Sequence, residues 1–304
     1  VLGPTASGKS ALAESLAARY GGELINSDAS ALYRELQVGV TKPSGSVREA
    51  LRYHLLDVAG LDCTVTVVEY QRLALEILRD LQQRQALAVL VGGTNLYVRA
   101  LLEGYRPPAI EVPEAIRQTA RSMPLDEAVK LLAALDPDFL SRIDSRNPRR
   151  VSRALELVLA KGGAVEEPTA QPLDGWATLR LLLWPQREAL QVRIRRRTEE
   201  MWESWLEECL DLEKKGLAHW LEVRKPIGYS SVMAHLHGRM SRSEAIDAVV
   251  RATCVLAKKQ RTWLQKDTEG PDRHVFVLAA ESDWESLPER ASAVVEGFLA
   301  RFTE

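Results

Sequence analysis

The sequence predicts an α/β fold, a parallel sheet with flanking helices and an all-helical insertion. Three observations carry this. Gly3-Pro4-Thr5-Ala6-Ser7-Gly8-Lys9-Ser10 follows two apolar residues and fits the phosphate-loop pattern G-x-x-x-x-G-K-[ST]. Strand-like and helix-like stretches alternate over the first hundred residues, as right-handed βαβ units do. After Gly104 the signals are only helical until about Lys161, and strand character returns at Leu179.

Each element has its own warrant. A loop of this kind opens a helix, and the Ala/Leu-rich stretch Ser10 to Tyr20 supplies one, stopped by Gly21-Gly22. Together they make the sheet P-loop NTPase-like. Leu24 to Asn26 reads as a short strand entering Ser27-Asp28, and Tyr53 to Val58 as another. Val67, Tyr70, Ala74, Ile77, Leu78 and Leu81 recur at helical spacing, predicting a helix over Val67 to Arg84. Ala86 to Val91 is an unbroken apolar run, as in a parallel strand covered on both faces. Tyr105-Arg106-Pro107-Pro108 breaks the chain, and Gly162 to Asp174 reads as a loop. Leu179 to Trp184 is a strand, Pro185 to Lys215 a long helix, and Ser241 to Lys266 a helix opened by a Ser241/Glu244 capping box. His274 to Leu278 and Trp284 to Phe302 complete the chain as strand and helix. The expected divisions are a core, 1–103, a helical insertion, 104–176, and a return to the core, 177–304.

Composition narrows the classes. The 46% hydrophobic and 27% charged residues describe an ordered globular chain rather than a disordered one. No apolar run approaches the ~20 residues of a membrane span, and no secretory leader is expected. The chain opens at Val1 without Met, so a short preceding piece and a truncated first strand are expected. Cys63, Cys209 and Cys254 are far apart and lack metal or disulfide spacing, which fits a reducing cytoplasm. The net charge of −2 names no partner, but its distribution does more. Arg146 to Arg153 carries four arginines and no acid, and Arg251 to Lys266 five basic residues and no acid. Such runs are commonly solvated faces; two of them on a near-neutral chain could also grip a polyanion.

In a phosphate loop the backbone amides from Gly3 to Gly8 surround phosphate oxygens, Lys9 reaches the terminal phosphate and Ser10 ligates Mg²⁺. A standard nucleotide hydrolase adds an acid at the end of a neighbouring strand. Here that strand ends Val91-Gly92-Gly93-Thr94, without one. The acid comes instead at Asp28, past strand two, near where ligands of open α/β sheets bind. Asp28 could accept a proton there or equally cap the Ser30 to Glu35 segment. On the long helix, Arg197 falls within the apolar stripe Leu190, Ile194, Met201, Trp205, whereas Arg195 and Arg196 have Glu199 and Glu200 four residues on. An inward arginine wants an anion, either a buried acid or a phosphate.

The phosphate loop, Ser27-Asp28 through Tyr33-Arg34, Lys42-Pro43, His54-Leu55-Leu56-Asp57, Gly92-Gly93-Thr94 and Arg149 to Glu156 occur in the order seen in tRNA dimethylallyltransferases. Arg193-Ile194-x-x-Arg197-x-x-x-Met201, Ile227-Gly228-Tyr229 and Ala257-Lys258-Lys259-Gln260-Arg261-Thr262-Trp263 follow in the same order. The chain thus resembles that family from Val1 to about Trp263. The resemblance implies transfer of a dimethylallyl group from its diphosphate to N6 of adenine 37 in tRNA, with Mg²⁺, by a cytoplasmic monomer. It also implies roles. Gly3, Pro4, Thr5, Ala6, Ser7, Gly8, Lys9 and Ser10 hold the diphosphate, Arg197 neutralises the leaving pyrophosphate, and Asp28 takes the N6 proton. Thr5 and Thr94 line the reaction channel. Asp28, Ala29, Ser30, Ala31 and Thr94 meet the flipped-out base, and Arg117, Arg149, Arg150, Arg153, Lys258 and Lys259 contact tRNA.

The residue types suit such chemistry. An allylic carbon reacts when charge on its departing diphosphate is stabilised, no hydrolytic water is needed, and the target base must leave its stack. The chain departs from the family at Ala31, Val40, Asn95, Pro226 and Cys254, where many members carry Gln, Thr, Gly, Ala and Arg; no departure removes a charged catalytic group. A small-molecule kinase, an adenylate isopentenyltransferase and a nucleotide-gated RNA-binding protein are the competing readings. The first leaves the basic helix unexplained, the second has no use for Arg146 to Arg153, and the third makes Asp28 and Arg197 dispensable.

Overall fold

The structure, a computed structural model, describes residues 1–170, 173, 175–270 and 272–302. It divides into two compact units, one made of Val1–Glu103 with Leu173–Glu304, the other of Gly104–Pro172.

The first unit is organised by Leu2, which bridges in parallel to Gly92 on one side and to Leu182 on the other. Its N–H reaches the Leu181 carbonyl, and its own carbonyl receives the Leu183 N–H, both at 2.8 Å. The phosphate loop follows and runs into α1 (Lys9–Tyr20), which ends at Gly21 in the left-handed region, where glycine bears no Cβ penalty. Next come β1 (Glu23–Asn26), α2 (Gly45–Ala50), β2 (Tyr53–His54), α3 (Val67–Gln83), β3 (Ala88–Val91) and α4 (Asn95–Leu102). β1 pairs in parallel with both β2 and β3, placing Leu24 opposite Tyr53 and Val89.

The second unit begins with β4 (Tyr105–Arg106), continues through α5 (Glu114–Ser122), α6 (Leu125–Leu135), α7 (Pro137–Ser141) and α8 (Pro148–Lys161), and closes with β5 (Thr169–Ala170). Its core is the seam of Ala128, Leu132, Val151, Leu155 and Val158. Asn147 caps α8 by accepting the Arg149 and Arg150 N–H groups, and Pro148 opens the first turn, where its missing N–H costs nothing.

The first unit resumes with β6 (Arg180–Pro185), α9 (Arg187–Glu200), α10 (Trp202–Lys214), α11 (Ala218–Arg224), α12 (Tyr229–Leu236), α13 (Arg242–Leu264), β7 (Arg273–Leu278), α14 (Glu281–Glu285) and α15 (Leu287–Leu299). β6 pairs in parallel with β7. Read across, the strands run β2, β1, β3, Leu2, β6, β7, every pairing parallel. The phosphate loop therefore leaves the sheet between strands that run both ways in sequence order, where open α/β sheets form their ligand crevice.

Several expectations need correction. The Tyr53 to Val58 strand stops at His54, because Leu55 and Asp57 take left-handed backbone at φ 61° and 58° and break the pleat. The Pro185 to Lys215 helix is two helices interrupted at Met201 (φ −89°, ψ 0°), three residues after Thr198 Oγ1 back-bonds to the Ile194 carbonyl at 2.8 Å, a contact that bends helices. The final helix splits at Ser286, since Pro288 enters the first turn of α15 and has no N–H to continue a preceding helix. The insertion also contains the two-residue β4–β5 pairing. Of the expected Gly162 to Asp174 loop, 171, 172 and 174 lie outside the described residues. The capping box of α13 forms as expected, Glu244 and Ser241 each bonding the other's backbone N–H.

Candidate active site

The phosphate loop needs left-handed backbone twice. Gly8, at φ 88°, adopts it without cost, but Ala6, at φ 62°, is strained and must be held by its surroundings. Four side contacts do this. Gln260 on α13 accepts the Thr5 N–H at 2.8 Å and donates to the Gly93 carbonyl at 3.0 Å, tying the loop to the end of β3. Arg193 on α9 donates Nε to the Ala6 carbonyl at 3.3 Å, and Trp284 on α14 donates its indole N–H to the Ser7 carbonyl at 2.8 Å. The Arg193 guanidinium lies over the Trp284 ring at 4.4 Å and pairs with Glu281 at 3.0 Å. Trp284 also occupies the space beside Gly8, where a Cβ would come within 3.1 Å of its Cδ1.

In front of the loop lies a cavity of about 370 Å³ lined by Thr5, Lys9, Ser10, Asp28, Arg193 and Arg197 among others. Lys9 is buried, and its Nζ has the Pro4 carbonyl at 3.5 Å. Burial pushes its pKa down to about 8; the Asp28 charge pulls the other way and the Arg197 charge adds to the fall. Arg197 reaches in from α9, donating to Thr5 Oγ1 at 3.1 Å, while its buried Nε has no partner among the described residues. Burial lowers its pKa too, against Asp28 and with Arg193. Two desolvated cations and an orphaned guanidinium N–H beside phosphate-loop amides form a site short of negative charge, the condition an oligophosphate satisfies.

Asp28 lines the same cavity and is held by its own segment. Asn26, buried at the end of β1, accepts the Asp28 N–H at 2.9 Å and donates to the Asp28 and Leu55 carbonyls at 3.0 and 2.9 Å. Asp28 Oδ1 in turn accepts the Ser30 N–H at 3.0 Å. The expected capping of a Ser30 to Glu35 helix by Asp28 is not seen: the segment is only a 3-10 turn, Ser30–Leu32, with Ala29 at its cap position, and the Asp28 bond to Ser30 N–H is an Asx-type turn that engages one oxygen. Ser30 and Ala31 also line the cavity. Thr94 and Ala29 are not among its lining residues; Thr94 Oγ1 accepts the Ala29 N–H at 3.0 Å and so steadies the turn beside Asp28. Gly3, Pro4 and Ser7 are buried in the body of the loop, whereas Ser10 is exposed. Among the described residues no cluster of three His, Cys, Asp or Glu could hold a metal. Ser10 at the cavity, with oxygens of a bound oligophosphate, matches the few protein ligands that Mg²⁺ takes in such sites.

Within the second unit, Arg149, Arg150 and Arg153 are exposed on the first turns of α8. Three cations at the positive end of a helix are electrostatically unfavourable unless an anion joins them. Arg153 is the least available, because it bonds buried Glu156 at 2.7 Å, with Arg121 on the same carboxylate at 3.3 Å. Arg117 is turned to the start of α5, its NH2 on the Val112 carbonyl at 3.4 Å and its Nε 3.7 Å from Glu114. Lys258 and Lys259 are exposed on α13. Sequence reasoning missed Asn26 and Trp284. Asn26 stands in the strand that delivers Asp28, a legible clue, whereas nothing local marks Trp284.

Several known proteins are similar to this chain. The family model described as IPP transferase matches residues 31–267. A tRNA dimethylallyltransferase of Synechococcus sp. (strain WH7803) is 37% identical, over 88% of this chain and 85% of that protein. One from Streptomyces griseus is 34% identical, over 97% and 95%. Among solved structures, the full-length tRNA isopentenylpyrophosphate transferase of Bacillus halodurans superimposes with a TM-score of 0.67 at 26% identity, covering 100% of this chain and 98% of that one. A eukaryotic dimethylallyltransferase acting on tRNA shares the fold at a TM-score of 0.82 and 23% identity, over 99% and 78%.

Proposed function

The chain belongs to the IPP transferase family, is an enzyme that transfers a dimethylallyl group to tRNA, and from that premise we propose how its residues divide the work. The donor is dimethylallyl diphosphate, its diphosphate seated on the amides of the Gly3–Gly8 loop, Lys9 and Arg197; the acceptor is N6 of adenine 37. The observation that supports this most is the grouping of Lys9, Arg197 and Asp28 around one cavity.

In the reaction the bond between the allylic carbon and the diphosphate oxygen breaks, and a bond from that carbon to N6 forms. Charge accumulates on the departing pyrophosphate, where Lys9, the Arg197 guanidinium and the loop amides stabilise it more strongly than in the ground state. The N6 proton passes to the Asp28 carboxylate, whose Oδ1 is already oriented by Ser30 N–H. Ser10 would hold Mg²⁺, which would supply further charge neutralisation when bound. Arg149, Arg150, Arg153, Lys258 and Lys259 grip the tRNA backbone. No helix among the described residues is long and apolar enough to cross a membrane, and we place the enzyme in the cytoplasm as a monomer.

Incubation with radiolabelled dimethylallyl diphosphate and either tRNA or AMP tests the reading. Label should enter tRNA at adenine 37 and not AMP. Label in AMP would make the chain an adenylate isopentenyltransferase, and phosphate transfer from ATP would make it a kinase.

A further inference from the structure

Helix α10 sends Glu208 to the segment Gln37–Gly39 from the first part of the chain. Glu208 Oε1 accepts the Gln37 N–H at 2.7 Å and the Tyr229 hydroxyl at 2.8 Å, and Oε2 accepts the Val38 and Gly39 N–H groups at 2.8 and 3.0 Å. Three successive amides converging on one anion form a nest, filled here by the protein's own carboxylate. Burial, and then the Glu208 charge, raise the pKa of the Tyr229 hydroxyl, which keeps it a donor.

The residues that follow, Gly39 to Pro43, form one wall of the cavity. Their far end is fastened by Lys42, whose Nζ donates to the Tyr33 carbonyl at 2.6 Å and pairs with Asp57 at 2.5 Å. Burial, which raises the Asp57 pKa, is outweighed by hydrogen bonds from Lys42 and Arg48, so Asp57 stays below the usual carboxylate range. Their near end is fastened by Glu208. Between the two anchors the wall stands against an apolar surface. Val40 on the wall faces the same cavity as Met201, Trp205 and Ile227. Gly39 lies so close to the aromatic pair that a Cβ there would come within 2.3 Å of Trp205 Nε1 and 2.5 Å of the Tyr229 ring.

We propose that Glu208 is a positioning residue that sets the width of the cavity's apolar end, and through it the length of prenyl chain the enzyme accepts. This rests on the reading of the cavity as the donor chamber. With the nest filled, the wall abuts Trp205 and leaves room for a five-carbon group. Without the carboxylate the three amides turn to water for acceptors, the wall draws away from α10, and a longer chain enters.

The test measures transfer to tRNA from dimethylallyl and from geranyl diphosphate for wild type, Glu208→Gln, Glu208→Ala and Tyr229→Phe. In Glu208→Ala the kcat/KM ratio of geranyl to dimethylallyl should rise about tenfold or more, the scale on which a pocket discriminates one alkyl extension. KM for dimethylallyl diphosphate should rise with kcat changed less, and the tRNA Kd should not move. Glu208→Gln, which keeps one acceptor oxygen, and Tyr229→Phe should fall between. If Glu208→Ala does not fold, Glu208→Gln carries the same comparison. A geranyl-to-dimethylallyl ratio within twofold of wild type in a variant whose KM has risen would leave Glu208 a merely structural residue and overturn the inference. A wild type that transfers from neither donor overturns the donor reading, and the inference with it.

Discussion

The Arg197 guanidinium lies 3.1 Å from the Thr5 hydroxyl, a second hydrogen bond from helix α9 to the phosphate loop beside that of Arg193, made across 192 positions of sequence. That bond leaves the buried Nε unsatisfied. Arg197→Ala therefore removes a poorly compensated cation: the thermal midpoint should hold or rise, while single-turnover transfer should fall ~10²–10³-fold, the usual loss for one charge-stabilising donor. Arg197→Lys restores charge without the planar fork and should recover only part of the rate. A drop in midpoint with the rate preserved would make Arg197 structural.

Lys9 gives a pH signature with two opposite trends. Its pKa in the folded protein is about 8, below the ordinary 10.5. Between those values the unfolded chain binds more protons, so Lys9 makes stability rise with pH across that window. Over the same window the free enzyme loses its loop cation, so pyrophosphate affinity should fall as pH passes 8. Denaturation midpoints and calorimetric Kd values against pH check both, and Lys9→Ala should fold, abolish transfer and flatten both trends.

Asp28→Asn keeps an oxygen for the Ser30 N–H, so the turn and both substrate affinities should survive. A general base is worth ~10²–10⁴ in rate, and at least ~10²-fold should be lost. Single-turnover rates with both substrates saturating measure it. A rate within a few-fold of wild type removes Asp28 from proton transfer.

Trp284→Phe deletes the indole N–H that holds the Ser7 carbonyl and keeps most of the ring. A net hydrogen bond is worth ~0.5–1.5 kcal/mol, so the pyrophosphate Kd should rise roughly 2–10-fold with tRNA binding unchanged. Isothermal titration with each ligand distinguishes this from general loosening.

On α8 the arginines should separate. Arg150→Ala should weaken tRNA binding and reduce its salt-dependence slope by about one, with stability unchanged. Arg153→Ala should also lower the thermal midpoint, because buried Glu156 loses its 2.7 Å partner and is left with the longer 3.3 Å contact to Arg121. Binding measured at several salt concentrations, beside thermal melts, reads both.

What the sequence made legible was local. The glycine stop of α1, the capping box of α13 and the apolar run of β3 each depend on residues a few positions apart, and each stands as expected. Arg197 was legible because an arginine in an apolar stripe is out of pattern. The early end of β2 turns on positive φ at Leu55 and Asp57, which carry no composition signal. α2, α11 and α12 are too short for periodicity to mark. Trp284 and Glu208 act through backbone groups of distant segments, so no spacing rule could link them to the site.

The loop at residues 3–8 takes one of its restraints from Trp284, some 280 residues later. On a ribosome adding ~5–20 residues per second, the loop waits on the order of 15–60 s for that restraint. Until then Ala6 has nothing from α14 to hold its strained backbone, and Arg193 lacks both the ring beneath it and Glu281. A nascent chain, or one terminated before Trp284, should thus carry an incomplete phosphate loop, so that competence to bind the donor arrives only once α14 has been made.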